Sequence, residues 1–331
     1  MKRKNHIGKF EIGSETAEKH SIFSGKAFLI AALTLLFAAM SFEIQAQKTK
    51  PQTAENFIYH QRLIFIKMRL NRREDMLFLL DTGANRSAID SSVAERFKLP
   101  SAGTDKVEGT AGVIETTKAK IDSLSFEKAE VKNLTVTVQN LSGITAPPNE
   151  KVAGILGYDF LRYFAVEINF PERRIKFSRR AAKSAEKSGA ASLSFTLDNG
   201  IPRIEAVLNE SVETGFRLDT GASIFETKDV YLNVTEDVWN RLKAENPTLK
   251  PQKYFTGSGI GGEIKLPVAR IKSFSTGSLH VPNPFVIVQP KAGYFARPDA
   301  VGFISNNLLE KYSRVTIDYL EKKIYLNRAD E

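Results

Sequence analysis

Phe78-Leu79-Leu80-Asp81-Thr82-Gly83-Ala84 and Phe216-Arg217-Leu218-Asp219-Thr220-Gly221-Ala222 are the two stretches that decide how this chain is read. Each is an apolar run ending on Asp-Thr-Gly, so each delivers a carboxylate, a hydroxyl and a flexible glycine to the end of a strand. They belong to one repeat. Ile66, Leu70, Asn71, Phe78, Leu80 and Asp81 to Ala84 recur as Ile204, Leu208, Asn209, Phe216, Leu218 and Asp219 to Ala222, at an unbroken offset of 138 positions. Duplication of a domain-sized unit accounts for that spacing, where a solenoid would repeat at shorter intervals.

Working outward, Leu63 to Leu70 and Met76 to Leu80 read as a hairpin about the turn Asn71 to Asp75, and the second copy repeats it. The ends of the units correspond as well: 160–177 and 308–326 both alternate apolar residues around a polar turn, so a terminal hairpin is expected in each. Short helical runs precede them near 158–164 and 305–312. Residues 178–192, SRRAAKSAEKSGAAS, are small and charged without apolar period and read as an exposed linker. The units are then 53–177 and 193–328. The second contains an extra segment, Asp229 to Tyr254, with a surface helix expected from Asp237. Glycine-marked turns, Glu108-Gly109-Thr110-Ala111-Gly112-Val113 and Thr256-Gly257-Ser258-Gly259-Ile260-Gly261-Gly262, read as tips of mobile hairpins, since glycine permits positive φ and close backbone approach.

Composition narrows the chemistry. The 331 residues are 42% hydrophobic, enough for two packed cores. The net charge of +9 is spread over both halves with acids between, which argues against a nucleic-acid surface. There is no cysteine, so disulfides, thiol nucleophiles and cysteine metal sites are excluded, and four histidines are too few for a histidine-rich metal site. No metal and no cofactor is expected.

Residues 27–42, AFLIAALTLLFAAMSF, form an uncharged apolar run preceded by Lys26 and by basic residues further upstream. It is short for a membrane span and suits a secretory h-region, with Ile44-Gln45-Ala46 as the cleavage site. Residues 1–46 are therefore read as a signal peptide, or as a signal anchor if uncleaved, and the protein is expected to be exported, periplasmic or secreted. Any membrane contact would be through that segment alone. Its six basic and four acidic side chains leave about +7 on the remainder.

Two carboxylates brought face to face cannot both ionise comfortably, so a proton is shared and their pKa values split. The ionised member can take a proton from a water held between them, and the protonated member can donate to a carbonyl oxygen. Threonine after each Asp can hydrogen-bond across to the other loop. Asp81 and Asp219 are the expected dyad, with Thr82, Gly83, Thr220 and Gly221 in support.

On Asp81-Thr82-Gly83-Ala84, Asp219-Thr220-Gly221-Ala222, the glycine turns, and the later elements Ile155-Leu156-Gly157 and Ala300-Val301-Gly302, the chain resembles retropepsin-like and pepsin-like aspartic peptidases, especially bacterial single-chain members with two retropepsin-like halves. The resemblance covers about 53–328. It implies an all-β fold with short helices, in which two duplicated six-stranded-type lobes flank a central cleft. It further implies flaps at Gly109, Thr110, Ala111 and Gly112 and at Gly257, Ser258, Gly259, Gly261 and Gly262, and a ψ-shaped element completed by Leu156, Gly157, Val301 and Gly302. The implied activity is aspartic endopeptidase hydrolysis of a peptide or protein substrate by a monomer. The alternative is a module that grips peptides on the same fold without cutting them. Asn85 stands where Ser223 follows the second Ala, so the first half lacks a hydroxyl that the family uses to hydrogen-bond its Asp, and neither flap carries a tyrosine. Gly257, Gly259 and Gly262 also fit a dinucleotide fingerprint, but Pro267 follows and no helix opens there.

Overall fold

Asn71 and Asn209, identical partners in the repeat, show why both hairpins form. Each sits in the left-handed region (φ 49° and 50°) followed by a second such residue, Arg72 or Glu210, giving the turn whose twist matches paired strands. The Asn71 side-chain oxygen accepts from the Asp122 and Ser123 amides (2.8 and 3.2 Å), and that of Asn209 from Lys272 and Ser273 (2.8 and 3.4 Å). One residue type thus makes the turn and ties it to the next hairpin.

The computed structural model describes residues 55–109, 112–180, 190–224, 227–259 and 262–328. The segment read as an export signal lies outside them, as do residues 181–189 of the expected linker. Three sheets account for the strands. The first-lobe sheet has eight, in the order 58–60, 63–70, 74–80, 152–156, 88–90, 129–139, 113–126 and 101–108. The second-lobe sheet has ten, with 212–218 between 302–304 and 201–208. In both, the strand that leads to Asp-Thr-Gly pairs antiparallel with its hairpin partner and parallel with a later strand, Val152–Leu156 or Gly302–Ile304. Its odd residues and even residues therefore face opposite sides, and Phe78, Leu80, Phe216 and Leu218 are wholly buried in one core that runs through both lobes.

The chain is mainly β as expected, with eight and ten strands in the two lobe sheets and a third sheet that joins them. The terminal hairpins, Ala165–Asn169 with Arg174–Ser178 and Arg314–Asp318 with Lys323–Asn327, join edge to edge through antiparallel pairing of Val166 with Ile317 and Ile168 with Val315. With 55–56 and 191–194 they make one six-stranded sheet shared by the lobes. Pairing hides the two edges that separate hairpins would expose. The ends of the expected linker belong to it: Ser178 pairs with Ala165, and Ala191 and Ser192 pair with Leu326 and Tyr325.

The segment Asp229 to Tyr254 is an enlarged counterpart and not an addition. Tyr231–Thr235, buried at every residue, lies between 285–289 and 302–304, as Ala88–Asp90 lies between 129–139 and 152–156. A helix follows each: Ser91–Arg96, capped by Asp90, and Glu236–Glu245, capped by Thr235 through the Val238 amide at 3.2 Å. The longer helix buries Val238, Trp239 and Leu242 on one face, so it is part of the core wall as well as of the surface.

Candidate active site

Each Asp is placed by the last hydrogen bond of its parallel strand pair. Asp81 N donates to Leu156 O at 3.1 Å and Asp219 N to Ile304 O at 2.9 Å. The chain then turns out of the sheet, and the next residue crosses between the lobes. Thr82 N donates to Thr220 Oγ1 (3.0 Å) and Thr220 N to Thr82 Oγ1 (3.1 Å), while the Thr82 hydroxyl donates to Leu218 O (2.7 Å) and the Thr220 hydroxyl to Leu80 O (2.9 Å). Both threonines are buried, and each hydroxyl is used twice on the opposite lobe, accepting from the threonine amide and donating to the carbonyl two residues before it. Four such bonds, at about 1 kcal/mol net each, hold the loops in a single register.

Glycine after threonine is required by the opposite lobe. Gly83 N donates to Asp81 Oδ1 (2.8 Å) and Gly221 N to Asp219 Oδ1 (2.9 Å). A Cβ on Gly83 would lie 2.6 Å from Asp219 Cγ, and one on Gly221 would lie 2.4 Å from Asp81 Cγ. The loops are pressed together until each glycine touches the other carboxylate.

The two carboxylates face one another across the loops, each packed on the other lobe's glycine. Burial pushes Asp81 up to about 6, against the pull of the Gly83 and Ala84 amides. Burial, and then the Asp81 charge, push Asp219 well above the carboxylate range. The pair therefore holds a proton more readily than two separate carboxylates would, and sharing it supplies an acid and a base side by side.

The supporting element after the parallel strand departs from the expected alignment. Gly302 pairs with Phe216 as Gly154 pairs with Phe78, so Ile304 is the counterpart of Leu156, and Ser305 that of Gly157. Val301 and Gly302 thus precede the residues that meet the Asp-Thr-Gly loop. Gly157 lies against the first loop, where a Cβ would be 2.6 Å from the Arg86 carbonyl carbon, and Gly302 against Asn233 O. Four residues not singled out from the sequence complete the support. Asp159 Oδ1 accepts from the Ser87 amide (2.9 Å) and hydroxyl (2.6 Å), and Ser87 Oγ accepts from Gly157 N (3.0 Å). Asn307 exchanges bonds with Ile224, accepting from its amide (2.9 Å) and donating to its carbonyl (2.8 Å). Asn306 Nδ2 donates to Thr220 O at 2.8 Å. Their signal was an Asp or Asn at the second position of each short helix, Tyr158–Leu161 and Asn306–Leu309. The Ser223 hydroxyl does not reach Asp219; it donates to Gln61 O at 2.6 Å, so the contrast with exposed Asn85 leaves the carboxylates untouched.

The glycine turns do cap hairpins, 101–108 with 113–126 and 253–259 with 262–270. At the first, Gly109 N donates to Gly112 O (2.8 Å) and Gly109 O accepts from Tyr294 N of the second lobe (2.9 Å), with Glu108 and Arg297 paired at 3.6 Å. Gly293, at φ 49°, leaves no room for a Cβ, which would fall 2.1 Å from Gly109 O. At the second, Gly257 lies under Leu266, Ser258 pairs with Glu263, and Gly259 pairs with Gly262. Thr110, Ala111 and Gly261 lie outside the described residues. Among the described residues no cluster of three metal-ligating side chains occurs.

Residues 66–160, which span most of the first-lobe sheet and its Asp-Thr-Gly, match the family model described as aspartyl protease. Comparison with curated proteins gave no match. Among solved structures, the chain is similar to a retropepsin-like aspartic protease from Rickettsia conorii at 21% identity, over 42% of this chain and 91% of that one, with a TM-score of 0.30.

Proposed function

We propose that this chain is an exported aspartic endopeptidase of the retropepsin-like kind whose catalytic groups are Asp81 and Asp219, a reading supported by the match of residues 66–160 to the aspartyl protease family model. The observation that carries the reading is the close-set carboxylate pair, both members shifted upward by burial, on two loops locked by reciprocal threonine bonds. A substrate peptide lies extended in the cleft beneath the glycine hairpins, held by main-chain bonds. Ionised Asp81 takes a proton from water, the water oxygen attacks the scissile carbonyl carbon, and Asp219 gives its proton to the carbonyl oxygen. The tetrahedral diol then collapses: the C–N bond breaks, the amine nitrogen takes the proton held by Asp81, and a diol hydroxyl returns its proton to Asp219. Nothing is consumed but water, and the dyad is restored.

Export rests on residues 27–42, which place the substrate in the periplasm or outside the cell, with the mature protein acting as a monomer. Two carboxylates buried this close together favour cleavage over peptide gripping alone, since a gripping cleft has no use for a costly buried dyad. Incubation of Asp81→Asn and Asp219→Asn variants with a denatured protein substrate tests the assignment. Each single variant is expected to lose cleavage while keeping the wild-type circular dichroism spectrum; cleavage by either variant would remove that aspartate from the mechanism.

A further inference from the structure

The duplicated halves place a tight turn against the opposite lobe at two related points. Gln61 and Arg62 (φ 47° and 59°) form one turn, and Asn199 and Gly200 (φ 50° and 85°) form the other at the repeat offset. The second junction is filled. Gly200 carries the Tyr158 ring, whose Cδ1 would be 2.5 Å from a Cβ there. At the first junction the residue that starts the facing helix is Asn306 instead of tyrosine, and a cavity of about 530 Å3 opens, lined by Tyr59, Gln61, Arg62, Lys228, Glu310 and Lys311.

Three cations line this cavity and one carboxylate faces them. Glu310 is already engaged, accepting from the Tyr59 hydroxyl at 2.6 Å and pairing with Arg62. Arg62 is largely buried, and its Nε finds no hydrogen-bond partner among the described residues. Lys311 Nζ donates to the Lys228 backbone carbonyl at 2.6 Å, which holds the Lys311 amine at the rim beside Lys228. A concave surface with more positive than negative charge concentrates the field and attracts an anion more strongly than a flat one does. Guanidinium and ammonium donors together suit the oxygens of a carboxylate or phosphate.

We propose that this depression is a binding site for an oxyanion, a carboxylate or a phosphate group, held by Lys228 and Lys311 over Arg62. The site touches the Asp-Thr-Gly loop of the second lobe. Gln61 O accepts from Ser223, and Arg62 O accepts from Asn306 Nδ2 (2.8 Å), which also donates to Thr220 O. An anion bridging Arg62 to the lysines would brace the first-lobe turn against that loop from behind. Binding itself does not depend on peptidase activity.

Calorimetric titration of the full chain at constant ionic strength, with inorganic phosphate in one arm and a capped triglutamate peptide in the other, tests the proposal and separates the two sources. One saturable site is expected for at least one probe, and the probe that binds identifies the source. Lys228→Gln and Lys311→Gln should each weaken it about tenfold, the effect of losing one charge-assisted bond. Lys272→Gln, an exposed lysine away from the cavity, should leave it unchanged. Glu310→Gln, which withdraws the competing carboxylate, should tighten it. Absence of saturation for both probes at millimolar concentration overturns the proposal, as does equal weakening by Lys272→Gln, which would mean general attraction to a basic protein.

Discussion

On the outer faces of the two aspartate-bearing hairpins, the same repeat positions hold opposite chemistry. In the first lobe Phe65, Leu77 and Leu79 join Leu141 and Val152 in an apolar cluster. In the second lobe those three positions are Arg203, Gly215 and Arg217. Arg203 pairs with Glu205 across the face, and Arg217 pairs with Asp198 at 2.8 Å and stands 3.8 Å from the Tyr294 ring. The inner faces, Phe78 with Leu80 and Phe216 with Leu218, are the same. Placing a carboxylate at the cleft floor therefore demands the inner face and the loop, while the outer face is free to be oil or ion pair. The braces differ too: Gly157 with Asp159 and Ser87 on one side, Ser305 with Asn307 and Ile224 on the other.

The strongest break of the comparison would come at the carboxylates, where the lobes should be equal. Asp81→Asn and Asp219→Asn are each expected to lower kcat/KM by about 10³-fold or more, the scale of losing a general acid or base; a large difference between them, read by peptide hydrolysis, would mean that only one lobe is catalytic. Next come the outer faces. Leu79→Ala should cost about 2–4 kcal/mol by leaving a cavity. Replacing Arg217 and Asp198 together by Met and Leu should cost less than about 1 kcal/mol, because an apolar pair can stand in for a partly buried ion pair. Urea denaturation of both variants measures the contrast.

Smaller effects distinguish the braces. Gly157→Ala forces a methyl into Arg86 backbone and should cost about 1–3 kcal/mol, whereas Ser305→Ala removes only one hydroxyl contact and should stay below about 1 kcal/mol. Burial raises the Asp159 carboxyl above its ordinary value, so the folded state holds this proton more tightly than the unfolded chain. Its contribution is thus favourable at acid pH and declines as pH rises from about 4 through the folded value. Asp159→Asn, which copies Asn307, should flatten that part of the stability curve; Tm measured between acid and neutral pH in both proteins reads it. Asp81, pushed up to about 6, has the same sign, so the wild-type protein should lose stability as pH rises through that range.

Much of the site was legible because it is local. Asp-Thr-Gly after an apolar strand, said twice at one offset, contains the acid, the cross-bonding hydroxyl and the glycine that close approach requires. The offset also paired Asn71 with Asn209, although its double use as turn and side-chain acceptor appears only in three dimensions. The later elements were harder. Beyond the hairpin the repeat carries insertions, the spacing between equivalents grows from 138 to 148, and matching glycine to glycine puts Gly302 where Ser305 belongs. Ser87 and Asp159 are 72 residues apart and meet only because antiparallel pairing of 88–90 with 152–156 brings the start of one strand to the end of the other.

What the sequence by itself determined is the repeated hairpins and the terminal hairpins, with their alternating sides, and two copies of a loop able to hold an acid. Alternation and turn chemistry act over a few neighbouring residues, so they can be read along the chain. Only the tertiary structure decided that the terminal hairpins fuse into a shared sheet and that the first glycine turn docks on Gly293 and Tyr294. Those contacts join residues far apart in the chain through backbone edges and hydrogen bonds, and any apolar hairpin offers an edge without specifying which partner takes it.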